Sequence, residues 1–323
     1  MPSEFELIAR YFTRPTSHTV LAVGDDGAVL QPRPGMELVV STDMLVAGTH
    51  FLPDSDPERL GWKALAVNLS DLAAMGAEPR WAVLAAALPA ADEAWIGAFA
   101  RGFFALAERF GVDVIGGDTT RGPLTLCPTV FGEVPAGQAL TRAGARAGDD
   151  IWISGQPGRA ALALAHLQGR GRLAEPFRED FVAALERPQA RVELGLALRG
   201  LAHAAIDVSD GLLADLGHIL ERSAVAAEVE LARLPVAALE RACGDPELVR
   251  RCLLAGGDDY ELLFTAAPAA RQAIDALAAR LGLPLQRIGR IQAGAPATLT
   301  VRAADGSPVV PDRLGYDHFA QEK

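Results

Sequence analysis

The sequence predicts a two-domain protein of α/β architecture, or α+β layers. Three observations carry that expectation. The chain has 323 residues, more than a single domain usually needs. Short apolar runs of strand length alternate with longer segments of helical period along most of it. Between Pro135 and Asp150 that periodicity lapses into a stretch rich in Gly, Ala and Arg. The division that results is a first domain over residues 1–137, a linker over 138–149 and a second domain over 150–323.

Taken in order, Ser3–Phe12 reads as an amphipathic helix carrying two glutamates. Val20–Val23 is a short apolar run leading into GDDGA, Gly24–Ala28, where Asp and Gly favour a turn. Glu37–Val40 reads as a strand that ends in Ser41, Thr42 and Asp43, with His50 shortly after in AGTHF. Arg59–Gly76 reads as a helix whose Ala-rich pattern implies burial on more than one side. Within it Asn68 and Asp71 lie three apart, on one face. A carboxylate in so apolar a helix needs a partner, because burying an unpaired charge is costly. Trp81–Leu88 is a strand, and Asp92–Phe110 a second helix with Gly111 as its stop. Val112–Ile115 has a buried-strand pattern and ends in GGDTT, where Gly116 and Gly117 permit close backbone approach to a ligand. Leu124–Val134 is a further strand.

Past the linker, which carries Arg142 and Arg146, Ile151–Ser154 restarts the pattern as a strand. Helices are expected at Arg159–Leu167 and Gln189–Leu201. Then comes the stretch around which the chain is organised, AIDVSDGLL at Ala205–Leu213. It sets Asp207, Ser209 and Asp210 in a tight loop between an apolar run and a helix-like run from Leu212 to Leu220. On these residues alone a helix cap by Ser209 or Asp210 accounts for the pattern equally well. Leu248–Leu254 leads into GGDDYE, Gly256–Glu261, and on into a strand at Leu262–Ala266. Ala269–Leu281 is a helix, Gln286–Ile291 and Leu299–Ala303 are strands, and the tail carries GYDHF, Gly315–Phe319.

Composition excludes several functions. The net charge is -11 and half of the residues are apolar. A large core is available, and the absence of a basic stripe argues against a nucleic-acid partner. The cysteines Cys127, Cys243 and Cys252 are scattered singly in apolar surroundings, without metal-ligand spacing, as expected of buried thiols in a reducing cytoplasm. The N-terminus lacks the basic start and apolar run of a signal peptide. The longest apolar run, Trp81–Ala91, contains Pro89 and stops at Asp92, too short to span a membrane. A soluble, cytoplasmic protein is expected.

The acidic loops point to the chemistry. Asp26, Asp43, Asp71, Asp118, Asp207, Asp210 and Asp258 mostly stand at the end of an apolar run or inside an apolar helix. If they converged they would repel, and no matching cluster of Lys or Arg answers them. Hard cations would. Mg²⁺ takes oxygen ligands and is typically held by carboxylates together with substrate phosphates. No Cys/His set suits Zn²⁺. A phosphate-binding P-loop is impossible, since neither Lys63 nor Lys323 follows a glycine, and the kinase HRD and DFG signatures are missing. The residues lead to multi-Mg²⁺ phosphate chemistry on an unusual scaffold. Helix caps and solvated turns are the alternative for the same set.

Together the segments EFELIARYF, GDDGAVL, STDMLVAGTHF, KALAVNLSDLAAMGAEPRW, GGDTTRGPL, LTRAGARAGD, DVSDGLLADLGHI, GGDDYEL and GYDHF resemble the thiamine-monophosphate kinase family. That family lies within the aminoimidazole-ribonucleotide-synthetase-like ATP-binding superfamily. The resemblance runs nearly end to end, and NLSDLAAMGA, GGDTTRG and DVSDGL in this order are specific to it. It implies a two-domain fold similar to aminoimidazole ribonucleotide synthetase, a homodimer through the N-terminal domains, and a nucleotide groove at that interface. It implies transfer of the γ-phosphoryl of ATP to thiamine monophosphate with several Mg²⁺ ions. Carried onto this sequence, the metal ligands are Asp26, Thr42, Asp43, Asp71, Asp118, Asp207 and Asp210, with Ser41 beside them. Gly117, Asp118, Arg142 and Ser209 match ATP contacts, and His50 and Tyr316 match substrate contacts. Asp258 stands where the family often has Glu facing the thiamine, one methylene shorter. The rival readings are another superfamily enzyme and a non-catalytic sensor of Mg·ATP or thiamine phosphate. Selenophosphate synthetase is disfavoured, because no Cys lies near the N-terminal Gly-Asp-Asp loop.

Overall fold

The computed structural model describes residues 3–319. It divides into two compact units. One comprises the chain up to Leu72 with Ala77–Ala139, the other Ala73–Gly76 with the chain from Leu140 on.

The first unit opens with a short helix α1 (Glu4–Leu7) that widens into a π-helical turn at Ile8–Phe12. A single continuous α-helix was the expectation there. The strands are β1 (Met36–Thr42), β2 (Leu45–Val46), β3 (Glu78–Leu88), β4 (Asp113–Arg121) and β5 (Thr125–Pro135). Helix α2 (Pro57–Ala74) precedes β3 and α3 (Glu93–Phe110) separates β3 from β4. The sheet order is β1-β5-β3-β4, with β2 on β5. β3 and β4 run parallel, with Ala85 opposite Asp118. A parallel pair needs a long crossover, and α3 supplies it. Asp92 accepts the first N–H groups of α3, from Ala94 and Trp95, and Gly111 ends it in the left-handed conformation at φ 63°. Every residue of α2 from Leu60 to Ser70 is buried, as its apolar pattern on all sides demands.

β4 differs from the sequence reading. Pairing with β3 continues through GGDTT as far as Arg121 opposite Leu88, so the two glycines lie inside a strand and not in a loop.

The second unit holds a seven-stranded mixed sheet. Its elements are β6 (Asp150–Ser154), α4 (Arg159–Leu167), α5 (Phe177–Glu186), α6 (Val192–Leu198), β7 (Ala204–Asp207), α7 (Leu212–Ser223), β8 (Ala226–Glu230), α8 (Ala237–Ala242), α9 (Pro246–Ala255), β9 (Leu262–Ala266), α10 (Arg271–Leu281), β10 (Leu285–Gln292), β11 (Leu299–Arg302) and β12 (Pro308–Val309). The order is β12-β11-β8-β10-β6-β9-β7. β7 thus lies at one edge, antiparallel to β9, with Asp207 opposite Leu262. This register brings the ends of DVSDG and GGDDYE together. Helix α7 buries Leu212, Leu213, Leu216, Ile219 and Leu220, a stripe at i, i+1, i+4, i+7 and i+8 that fixes where the preceding loop must sit. The core joins these residues to Ile151, Ile153, Leu263, Ile288 and Ile291. The helix expected at Gln189–Leu201 is shorter, Val192–Leu198. No helix among the described residues is long and apolar enough to cross a membrane.

Candidate functional site

In the first unit, β1 and α2 assemble one cluster. Ser41, near the end of β1, donates its hydroxyl to Asp71 on α2 at 2.5 Å, and this is a partner that carboxylate needed. The Asp43 amide donates to the buried Asn68 Oδ1 at 2.9 Å, and Asn68 Nδ2 donates to the Ala64 carbonyl at 3.1 Å. Asn68 and Asp71, three apart on α2, therefore both face the STD segment. Thr42 Oγ1 donates to the Pro128 carbonyl at 2.9 Å and accepts from Thr129 Oγ1 at 3.0 Å. His50 Nδ1 accepts the Val46 amide at 3.0 Å, so the neutral ring carries its proton on Nε2.

A second cluster lies along a cleft of about 980 Å³, lined by Asp25 and Asp26 of the GDDGA turn, by Gly116–Thr119, and by Ile8, Phe12, Val23 and Leu84 among others. Asp26 and Asp118 are exposed. The cleft places GDDGA and GGDTT, about ninety positions apart in sequence, in one site. Gly117 is required by packing: a Cβ there would stand 1.9 Å from the Leu84 carbonyl oxygen on β3. The N-terminal turn also lines this cleft. Sequence reasoning did not assign it to the site, and nothing in its amphipathic pattern distinguishes a cleft wall from a core contact.

In the second unit three segments interlock through their backbones. The amides of Asp258 and Tyr260 donate to the carbonyls of Ser209 (2.9 Å) and Val208 (2.8 Å), and Val208 donates to Glu261 (2.8 Å). The Tyr316 amide donates to the Asp210 carbonyl at 2.9 Å. DVSDG, GGDDYE and the GY of the tail thus form one loop cluster, bringing Asp207, Ser209, Asp210, Asp258 and Tyr316 into a single neighbourhood. Asp207 is buried, Ser209 and Asp210 are half-buried and Tyr316 is exposed. Arg142 is exposed, and its carbonyl accepts the Ser223 hydroxyl at 3.1 Å. None of the hydrogen bonds just described gathers it to the loops.

Asp258 and Tyr260 adopt left-handed backbone conformations, with φ 67° and 52°. For residues other than glycine this costs on the order of 1–3 kcal/mol each and collects at functional sites. The cap alternative for the DVSDG loop is also answered. Neither Ser209 nor Asp210 caps α7; its N-cap is Gly211, which makes no side-chain bond. The residue that organises the loop is Asp215, in the first turn of α7. Its Oδ2 accepts the amides of Ser209 (3.1 Å), Asp210 (3.2 Å) and Gly211 (3.1 Å). Burial pushes the Asp215 carboxyl up to about 7 against these three donors, and the charge of Asp210 adds to the rise. Sequence reasoning passed over Asp215, yet the argument applied to Asp71 holds for it too: a carboxylate among Leu212, Leu213 and Leu216 needs partners. Two further acidic residues were also unassigned. Asp259 Oδ2 accepts the Gly158 amide at 2.6 Å, where α4 begins, and burial holds its carboxyl well above the usual range. Glu261 is bound by both Nε (2.7 Å) and Nη2 (2.6 Å) of Arg191.

Among the described residues, no group of three or more His, Cys, Asp or Glu stands close enough to hold a metal ion. The donors present at the sequence-derived positions are carboxylate and hydroxyl oxygens, a chemistry that suits a hard cation such as Mg²⁺. The only imidazole in the set, His50, uses its Nδ1 on the backbone.

Comparison with known proteins gives a consistent result. Residues 24–134 match the AIR synthase related protein, N-terminal domain, and residues 146–302 its C-terminal domain. The thiamine-monophosphate kinase of Escherichia coli (strain K12) is 49% identical over 322 residues, which is 98% of each chain. The crystal structure of thiamine-monophosphate kinase from Stenotrophomonas maltophilia K279a superposes with a TM-score of 0.84 at 50% identity, covering 94% of this chain and 96% of that one. AaThiL complexed with AMPPCP and TMP superposes with a TM-score of 0.76 at 31% identity over 92% of each chain. With both domain models matched in order and near-half identity over almost its whole length, the chain belongs to the thiamine-monophosphate kinase family of AIR-synthase-related proteins.

Proposed function

We propose that this protein phosphorylates thiamine monophosphate to thiamine diphosphate at the expense of ATP. The single observation that carries the reading is 49% identity over 98% of this chain to a curated thiamine-monophosphate kinase. The acceptor is already an oxyanion, so the reaction needs no strong general base. An oxygen of the thiamine phosphate attacks the γ-phosphorus, the bond to the bridging oxygen breaks, and ADP leaves. What the protein must do is hold two anions in line.

In this reading Asp26, Ser41, Thr42, Asp43, Asp71, Asp118, Asp207 and Asp210 hold Mg²⁺. The ions supply charge neutralisation between the two phosphates. Gly117, Asp118, Arg142 and Ser209 bind ATP, with the glycine backbone giving the nucleotide close approach. His50, Asp258 and Tyr316 bind the thiamine phosphate, His50 offering an Nε2–H donor. No residue becomes phosphorylated. The protein works as a cytoplasmic homodimer joined through residues 1–137, with residues 138–149 as linker and residues 150–323 completing the active site. Neither nucleic acid nor membrane takes part.

The test is formation of thiamine diphosphate from thiamine monophosphate and ATP by the purified protein, with Mg²⁺ and then with EDTA. Metal-dependent product, absent when free thiamine is the acceptor, is expected. Asp43→Asn and Asp210→Asn are each expected to lower kcat by a hundredfold or more, roughly 2.7 kcal/mol of transition-state stabilisation. ATP bound without turnover would point instead to a sensor.

A further inference from the structure

We infer that Tyr260 is a positioning residue for the acceptor, acting through Asp258. The inference deepens the functional proposal and rests on its assignment of Asp258 to the thiamine phosphate. The Tyr260 hydroxyl donates to Asp258 Oδ1 at 2.8 Å. The phenol itself is 9% exposed, so the hydroxyl is delivered from a ring the protein already holds. The backbone is fixed at both ends of the contact: the Asp258 amide is on Ser209 and the Tyr260 amide on Val208. Both residues sit in left-handed conformations, and Asp259 between them turns away to the start of α4. Two left-handed residues flanking one that faces elsewhere bring the side chains at 258 and 260 against each other. Backbone strain maintained for one side-chain contact is a mark of pre-organisation.

The chemistry of the acceptor gives the contact a purpose. Thiamine monophosphate carries a cationic thiazolium and an aminopyrimidine, and both are recognised by a carboxylate. Asp is short, so its carboxylate stays near the backbone and only two torsions, χ1 and χ2, set its orientation. The Tyr260 hydroxyl, bonded to Oδ1, restrains both. The same segment is hydrogen-bonded to the Ser209 loop, so the carboxylate is oriented relative to Ser209, assigned to ATP.

The experiment compares steady-state kinetics of Tyr260→Phe, Asp258→Ala and the double variant in the full-length protein with Mg²⁺. Tyr260→Phe is expected to raise KM for thiamine monophosphate about tenfold, leaving kcat and KM for ATP within about twofold and the melting temperature within about 2 °C. Asp258→Ala is expected to raise the same KM at least as much. In the Asp258→Ala background, Tyr260→Phe should have no further effect, which a merely structural role for the phenol would not produce. If Asp258→Ala raises KM and Tyr260→Phe does not, the inference fails and the assignment of Asp258 stands. If the two effects multiply, Tyr260 acts independently of Asp258 and the inference fails. If Asp258→Ala leaves KM unchanged, the assignment and the inference fall together. A wild-type protein that makes no thiamine diphosphate overturns the functional proposal, and the inference with it. Should Tyr260→Phe melt markedly lower, the same kinetics are measured at a temperature where circular dichroism shows the variant folded. A tenfold rise in KM for thiamine monophosphate at unchanged kcat, absent in the Asp258→Ala background, is expected there, and an unchanged KM refutes the inference.

Discussion

Replacing Arg191 with Met tests how the GGDDYE segment is anchored. Glu261 is the last residue of that segment, and its side chain is 3% exposed against 19% for Arg191. The two form a bidentate pair at 2.7 and 2.6 Å, the strongest geometry available to an arginine and a carboxylate. Burial alone would lower the Arg191 guanidinium, but the hydrogen bonds and charge of Glu261 reverse this and raise it. Removing one partner of a buried pair costs about 3–5 kcal/mol, because the other charge is left uncompensated. The lower end, about 3 kcal/mol, applies here, since the Ser154 hydroxyl (2.5 Å) still donates to the carboxylate. For a unit of this size that is a drop of roughly 6–12 °C in melting temperature. Urea unfolding followed by circular dichroism at pH 8 measures the loss, and a thermal scan measures the shift in melting temperature. A loss below about 1 kcal/mol refutes the reasoning.

Four further outcomes are expected. Gly117→Ala forces a Cβ to within 1.9 Å of the Leu84 carbonyl oxygen, so it should cost about 2–3 kcal/mol in urea unfolding, and wild-type stability contradicts the packing. Asp113 accepts the amides of Ser17 and His18 and the Thr19 hydroxyl at 2.8, 3.0 and 2.6 Å, so Asp113→Ala should cost about 2–3 kcal/mol and speed proteolysis between residues 12 and 24. Burial raises the Asp113 carboxyl, but these bonds outweigh it and hold it below its ordinary 3.8. Its contribution is therefore present above that value and lost as the pH falls through the lowered one, and acid unfolding of Asp113→Asn should be less steep there than that of wild type. Finally, burial pushes the Cys252 thiol up to about 11 while Cys127 is only half-buried. Iodoacetamide at pH 8 should label Cys127 well before Cys252 by peptide mass mapping, and equal labelling contradicts the burial.

The elements legible in the sequence are those whose own residues decide them. Asp92 and Gly111 bracket α3 by capping chemistry that is purely local. The unbroken apolar pattern of α2 foretold a helix buried from Leu60 to Ser70. The elements misread or left without a reading depend on partners. Ala226–Glu230 carries Glu228 and Glu230, and its alternation is legible as a strand only once it lies between β10 and β11. GGDTT looks like a loop because glycine is a poor strand former, and it is a strand because β3 supplies the ladder. Phe177–Glu186 has only two buried residues, Phe181 and Leu185, too thin a stripe for periodicity to find.

The same division runs through the site. The acidic positions were visible as charges stranded beside apolar runs, since desolvation makes such placements costly. What holds them could not be read. Asp207–Gly211, Gly256–Glu261 and Gly315–Tyr316 meet through amide-to-carbonyl bonds, and every residue but proline offers both groups regardless of its side chain. Side chains enter at the corners: Asp215 gathers three successive amides, Arg191 holds Glu261, and Tyr260 meets Asp258. Each of these three is buried or half-buried, and each acts on a residue named by the motifs without itself belonging to the metal, ATP or substrate set. The chemistry of the loop cluster is therefore written in Asp207, Asp210 and Asp258, and its geometry in the groups beneath them. Substitutions in that lower layer should change how tightly substrate is held and how stable the unit is, and leave the identity of the reaction untouched.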